Sequence, residues 1–137
     1  MHRNKLACIS ELFIYLAGMG KKLLFVDDDA NWREVASTSL QEAGYEVVTA
    51  QDASEAMEKA LGEELGLIIL DLNLAGESGL NFMKYLKHNL PDVPILLFTG
   101  MEHDDSTVRA MLDQGADQYL RKTGMAELIV TVGSYFR

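Results

Sequence analysis

Apolar positions along the chain fall into two patterns that take turns. Five short runs, Leu23-Leu24-Phe25-Val26, Tyr45 to Ala50, Leu67-Ile68-Ile69-Leu70, Ile95-Leu96-Leu97-Phe98 and Gln118-Tyr119-Leu120, read as strands. After each run the apolar residues recur at helical spacing: Trp32, Val35, Ala36, Leu40 and Ala43, then Ala53, Ala56, Met57, Ala60 and Leu61, then Leu80, Met83, Leu86 and Leu90. Val108, Met111 and Leu112, and finally Met125, Leu128, Ile129, Val132 and Phe136, complete the series. The punctuation agrees with this reading. Asp29 (with Asn31) and Asp52 stand where helix N-caps belong, and Asp104-Asp105 reads as a solvated helix start. Gly44, Gly62, Gly66 and Gly115 mark helix ends, and Pro91 and Pro94 mark a stop and a turn.

Strict alternation of strand and helix predicts an α/β fold, a doubly wound five-stranded parallel sheet with helices on both faces. The expected strand order is 2-1-3-4-5, the flavodoxin-like arrangement. Ligands of such sheets bind beyond the carboxyl ends of the strands, where the winding reverses, here between the first and third strands. The first strand runs into Asp27 and Asp28 and the third into Asp71. Thr99 ends the fourth strand, and Lys122 lies just past the fifth. A lone aspartate after a strand is ordinarily a turn former or a cap. Five polar groups on one rim are not explained that way. Three clustered carboxylates raise one another's pKa unless a cation compensates them. A hard divalent ion, Mg2+ or Mn2+, suits their oxygens, and Lys122 can reach in from the same edge.

Composition narrows the picture. The chain has 137 residues, nearly half apolar and about a quarter charged, with a net charge of −9. That suits one ordinary domain and disfavours nucleic acid or an anionic membrane as partners. The single cysteine, Cys8, allows no internal disulfide. His2, His88 and His103 have no metal-ligand spacing and read as surface residues. Residues 1–20 differ in character, with Arg3 and Lys5 ahead of an apolar run, Leu12 to Ala17, that is too short to span a membrane. Glu11 breaks a signal-peptide pattern. Residues 1–20 therefore read as an extension, either an extra helix or a tail from an upstream start, ahead of a domain at 21–137.

Four segments carry a resemblance: Leu-Leu-Phe-Val-Asp-Asp-Asp at 23–29 with Arg33 in the next turn, Ile-Ile-Leu-Asp-Leu-Asn-Leu at 68–74, Leu-Phe-Thr-Gly at 97–100, and Gly-Ala-Asp-Gln-Tyr-Leu-Arg-Lys at 115–122. In order and spacing they resemble the receiver domain of bacterial two-component response regulators, the CheY-like superfamily. The resemblance implies a cytoplasmic phosphoacceptor signalling domain that catalyses its own phosphorylation and dephosphorylation but is not otherwise an enzyme. Asp71 matches the phosphoacceptor. Asp28, Asp71 and the main-chain carbonyl of Asn73 match direct metal ligands, and Asp27 an acidic group acting through water. Thr99 and Lys122 match the hydroxyl and the cation that meet the phosphoryl group, and Tyr119 the aromatic that turns inward when Thr99 moves. The implied donor is a phosphohistidine on a sensor histidine kinase or phosphotransfer protein. The output would be read on the face made by the fourth helix, fifth strand and fifth helix, which is also open to a homodimer. The output partner is unspecified.

Gly100 leaves the crevice open to a donor, and Asn73 and Met101 are placed to influence the lifetime of the phosphoryl group. Two positions depart from the family pattern. Thr123 stands where a proline usually follows the lysine, so the Lys122–Thr123 peptide is expected to be trans, with Lys122 displaced and Thr123 or Gly124 capping the last helix. Ala75 replaces a common proline, which is expected to loosen the loop through Gly79. Other classes fit less well. A flavodoxin-like cofactor carrier would meet repulsion between its phosphate and Asp27-Asp28-Asp29, and an aspartyl phosphatase usually requires a spaced Asp-x-Asp with a threonine following, where Ala30 and Asn31 follow here. A receiver-like interaction module that no longer accepts phosphate is the remaining alternative.

Overall fold

A computed structural model describes residues 22–74 and 78–136. The expectations for residues 1–20, Cys8 and Ala75 lie outside the described residues. Strands β1 (Lys22–Val26), β2 (Glu46–Ala50), β3 (Leu67–Leu70), β4 (Ile95–Thr99) and β5 (Gln118–Arg121) alternate with helices α1 (Ala30–Glu42), α2 (Ala53–Gly62), α3 (Gly79–Asn89), α4 (Asp105–Asp113) and α5 (Met125–Tyr135). All strand pairs are parallel, in the order β2-β1-β3-β4-β5. Fold class and strand order are as the alternation of patterns predicts. Among the described residues no helix is long and apolar enough to cross a membrane.

The continuous apolar runs divide between two cores because successive side chains of a strand point to opposite faces. Leu24, Val26, Ile68, Leu70, Ile95 and Leu97 face α2, α3 and α4, where Ala56, Met83, Leu86 and Met111 pack. Leu23, Phe25, Leu67, Ile69, Leu96 and Phe98 face α1 and α5, against Ala36, Leu40, Leu128 and Val132. A one-residue slip of any central strand would exchange the two sets, so burial on both faces fixes the register.

The helix caps have clear physical causes. Asp29 accepts from the N–H groups of Asn31 and Trp32, and Asp52, Ser78 and Asp104 accept from Glu55, Asn81 and Thr107. Gly124, not Thr123, occupies the N-cap position of α5. The apolar stripes are narrower than the spacing implies: Val35, Leu61 and Leu112 are exposed, Leu61 to 67%. Each helix lies against a twisted sheet along one narrow line, and alanines such as Ala53, Ala56 and Ala60 fill it on α2. Strand β2 begins at Glu46; Tyr45 instead stacks on Phe136 with ring centroids 5.3 Å apart.

At the amino end of the sheet, one carboxylate joins three elements. Asp117 Oδ2 accepts from Lys87 Nζ at 2.9 Å and from the Ile95 N–H at 2.7 Å, which tethers α3 and β4 to the turn before β5. Asp117→Ala leaves the Ile95 N–H at a buried strand start without its partner. Urea unfolding should show a loss of about 1–2 kcal/mol, and an unchanged midpoint would contradict the tether.

Candidate active site

The backbone ladder runs one residue beyond the strands and pins the polar residues that follow them. The Asp27 N–H donates to Ala50 O (3.0 Å), the Asp71 N–H to Val26 O (3.0 Å) and the Lys122 N–H to Thr99 O (2.8 Å). Carboxylate oxygens of Asp27, Asp28 and Asp71 therefore come within 4.8 Å of one another. Asp27 and Asp71 are buried, whereas Asp28 is exposed.

Lys122 enters this cluster directly. Its Nζ donates to Asp27 Oδ2 at 2.5 Å and to Asp71 Oδ2 at 2.8 Å, with a side chain only 7% exposed. The Lys122–Thr123 peptide is trans, as expected. The expected displacement of Lys122 does not occur. Its main chain is held in the sheet ladder by Thr99 O, and its four-carbon stem is long enough to reach both carboxylates without help from the next residue. The ammonium also lies over the ring of Trp32, 5.2 Å from the centroid.

Burial pushes the Asp27 carboxyl above the usual carboxylate range, although Lys122 and the Asp29 N–H favour its ionised form. Repulsion from Asp71 is a lesser cause, so desolvation matters more here than the mutual repulsion expected from clustering. For Lys122, burial opposes the charge, but its hydrogen bonds to Asp27 and Asp71 outweigh it and hold the ammonium above its ordinary range.

Of the remaining predicted residues, Asn73 bonds to the cluster directly, and Thr99 and Gly100 follow at the end of β4. Thr99 is fully buried, and its hydroxyl accepts from the Met101 N–H at 3.3 Å. The strand register sets it one residue beyond the position opposite Asp71. The Asn73 N–H donates to Asp71 Oδ1 at 3.1 Å, which turns the loop after β3 back over the carboxylate. A Cβ at Gly100 would meet nothing nearer than Lys122 Cδ at 4.0 Å, so the backbone there does not crowd the lysine stem. Tyr119 stands apart from the carboxylates: its hydroxyl donates to Met101 O at 2.8 Å, and burial raises its pKa.

Three residues have parts in the site that the sequence reading did not assign. Arg33 donates to Asp27 O at 2.7 Å and ties α1 to the end of β1. Trp32 contacts Lys122. His103, read as a surface residue, packs edge-on against Tyr119 at 5.9 Å, and its Nε2 is buried with no hydrogen-bond partner among the described residues. Arg33 stands in the segment that carries the family resemblance, and the signal for Trp32 is its place in the first turn after the acidic run.

A buried lysine that bridges two carboxylates offsets their negative charge beyond the carboxyl ends of the strands, where sheets of this kind bind their ligands. The family model for the response regulator receiver domain matches residues 23–132. The chain belongs to this family. The phosphate regulon transcriptional regulatory protein PhoB of Pseudomonas aeruginosa is 35% identical over 106 residues, covering 76% of this chain and 46% of that protein. The alkaline phosphatase synthesis transcriptional regulatory protein PhoP of Bacillus subtilis is 36% identical over 104 residues, covering 76% and 43%. The response regulator TrrA of Thermotoga maritima, solved in complex with Mg2+-BeF, is 34% identical with a TM-score of 0.75, covering 84% of this chain and 98% of that one. The chain spans about half the length of the curated relatives it matches. As a receiver domain of the two-component type it is a signalling domain. The alternative of a module that no longer accepts phosphate is not favoured, because the acidic set is complete and Lys122 reaches it.

The residues present fit a divalent cation. Three carboxylates offer hard oxygen donors at a common point, and Asp28 is exposed beside two buried partners.

Proposed function

We propose that Asp71 accepts a phosphoryl group from a phosphohistidine on a sensor kinase or phosphotransfer protein in the cytoplasm. The observation that carries this reading is the position of the Lys122 ammonium, 2.8 Å from Asp71 Oδ2. An Asp71 oxygen attacks phosphorus, and the bond from phosphorus to the donor imidazole breaks. Lys122 lies where it can offset the charge on the transferring oxygens, which is most of what this reaction asks of a protein. Asp28, Asp71 and the carbonyl of Asn73 would hold Mg2+, or Mn2+ in its place, with Asp27 acting through water. Bound there, the cation supplies further neutralisation of the phosphoryl oxygens.

Thr99 turns its hydroxyl toward the phosphoryl group, and Tyr119 follows into the vacated space. The phosphorylated state is read on the α4-β5-α5 face by an output partner or a second copy of the chain. The same site returns the group to water. The test is intact mass after incubation with Mg2+ and a small acyl phosphate. The wild type should gain one phosphoryl group, and Asp71→Asn should gain none. The same adduct persisting in Asp71→Asn would overturn the assignment.

A further inference from the structure

The Lys122 ammonium has three N–H donors. Two go to carboxylates, one to Asp27 Oδ2 and one to Asp71 Oδ2. The indole of Trp32 is also close by, with its centroid 5.2 Å from Nζ, inside the range at which a cation is drawn to the negative face of an aromatic ring. We propose that Trp32 is the positioning residue for Lys122, holding the ammonium over the crevice by cation–π attraction while Asp71 changes its chemical state. This rests on the reading of Asp71 as phosphoacceptor and adds a residue to that site.

Two features support the assignment. The ring is held firmly. The main-chain N–H of Trp32 donates to Asp29 Oδ1 at 3.4 Å, which fixes the backbone, and the indole meets Phe98 edge-on at 5.5 Å and 87°. Phe98 is itself buried against Phe25. An aromatic series anchored in the core thus sets where the indole face lies. The other feature is charge. A carboxylate at position 32 would bind the ammonium more strongly, but it would add negative charge against an incoming phosphoryl group. An indole face attracts the cation and leaves the net charge of the crevice unchanged. On the side of Gly100 no Cβ confines the lysine stem, whereas the Trp32 ring lies under the ammonium itself.

Wild type, Trp32→Phe and Trp32→Leu are compared as full chains with Mg2+ and acetyl phosphate. Trp32→Leu should form the adduct about tenfold more slowly at saturating donor, with the half-saturating donor concentration changed less than twofold. Trp32→Phe, which keeps a ring face, should recover most of the rate. Equal rates in all three proteins overturn the proposal. A double-mutant cycle in the metal-free chain, combining Trp32→Leu with Lys122→Met, removes the contribution of packing on Phe98, which is common to both backgrounds. The two changes should be non-additive by about fivefold in the unfolding constant, ~1 kcal/mol. Additivity within twofold also overturns the proposal. If the wild type gains no phosphoryl group, the reading of Asp71 fails, and the cycle still decides whether Trp32 holds Lys122.

Discussion

Lys122→Met should destabilise the metal-free domain by about 3–5 kcal/mol, because removing one partner leaves buried charge uncompensated. Methionine keeps most of the apolar stem and deletes the ammonium. Asp27 is fully buried and Asp71 nearly so, and Lys122 is the cation the structure shows bonded to both. The same substitution should tighten Mg2+ binding by at least about tenfold, since one unit charge a few ångströms away, at an effective dielectric of about 20, is worth a few kcal/mol. The two effects have opposite signs, and this separates them from a general loss of packing. Denaturant unfolding with chelator and with Mg2+ measures both. A variant as stable as wild type without the cation, or one whose stability responds to Mg2+ no more than wild type, would contradict the role of Lys122 as the resident counter-charge.

The second large effect is expected at Gly79. A Cβ built there lies 2.4 Å from Leu72 O, 2.5 Å from Leu72 Cα and 2.7 Å from Leu72 C. All three are backbone atoms, so no side-chain rotation relieves the overlap. The Gly79 N–H also donates to Leu72 O at 3.2 Å, and that contact draws the start of α3 onto the residue after Asp71. Gly79→Ala must push apart α3 and the Asp71–Leu72 backbone. We expect a loss of about 3 kcal/mol, the upper part of the range for overpacking, together with slower phosphorylation of Asp71. Gly62→Ala is the control: a Cβ there meets nothing within 4 Å, and the helix end should be unchanged or slightly firmer. Similar losses in both variants would point to glycine content in general rather than to the contact with Leu72.

Much of this was legible in the sequence because a parallel sheet turns one-dimensional order into a shared edge. Runs such as Leu67–Leu70 announce themselves by being apolar on both faces, and whatever follows them must lie on the same rim. Asp27, Asp71, Thr99 and Lys122 needed no further information to be placed together. What escaped the reading depends on distances that periodicity does not carry. Val35, Leu61 and Leu112 satisfy helical spacing yet sit at the margin of the stripe, where sheet twist decides exposure. Whether Lys122 reaches Asp71 is a matter of stem length and a hydrogen bond to Thr99 O, so the missing proline misled. Trp32 counted as one more apolar position, although its ring faces the ammonium. The packing of His103 on Tyr119 arises in a loop whose path no pattern of apolar residues specifies.

The strand order has a kinetic consequence. β1 lies between β2 and β3, and each of these pairings joins segments separated by a helical crossover. None of the sheet can start as a local hairpin, and β1, the earliest strand of the fold to leave the ribosome, keeps an unpaired edge until β3 has followed it. Leu23–Val26, buried on both faces in the finished domain, must therefore stay in solution or in a loose collapsed state while more than forty residues are added. The segment that leads into Asp27 and Asp28 is also the one most exposed to misassociation during synthesis.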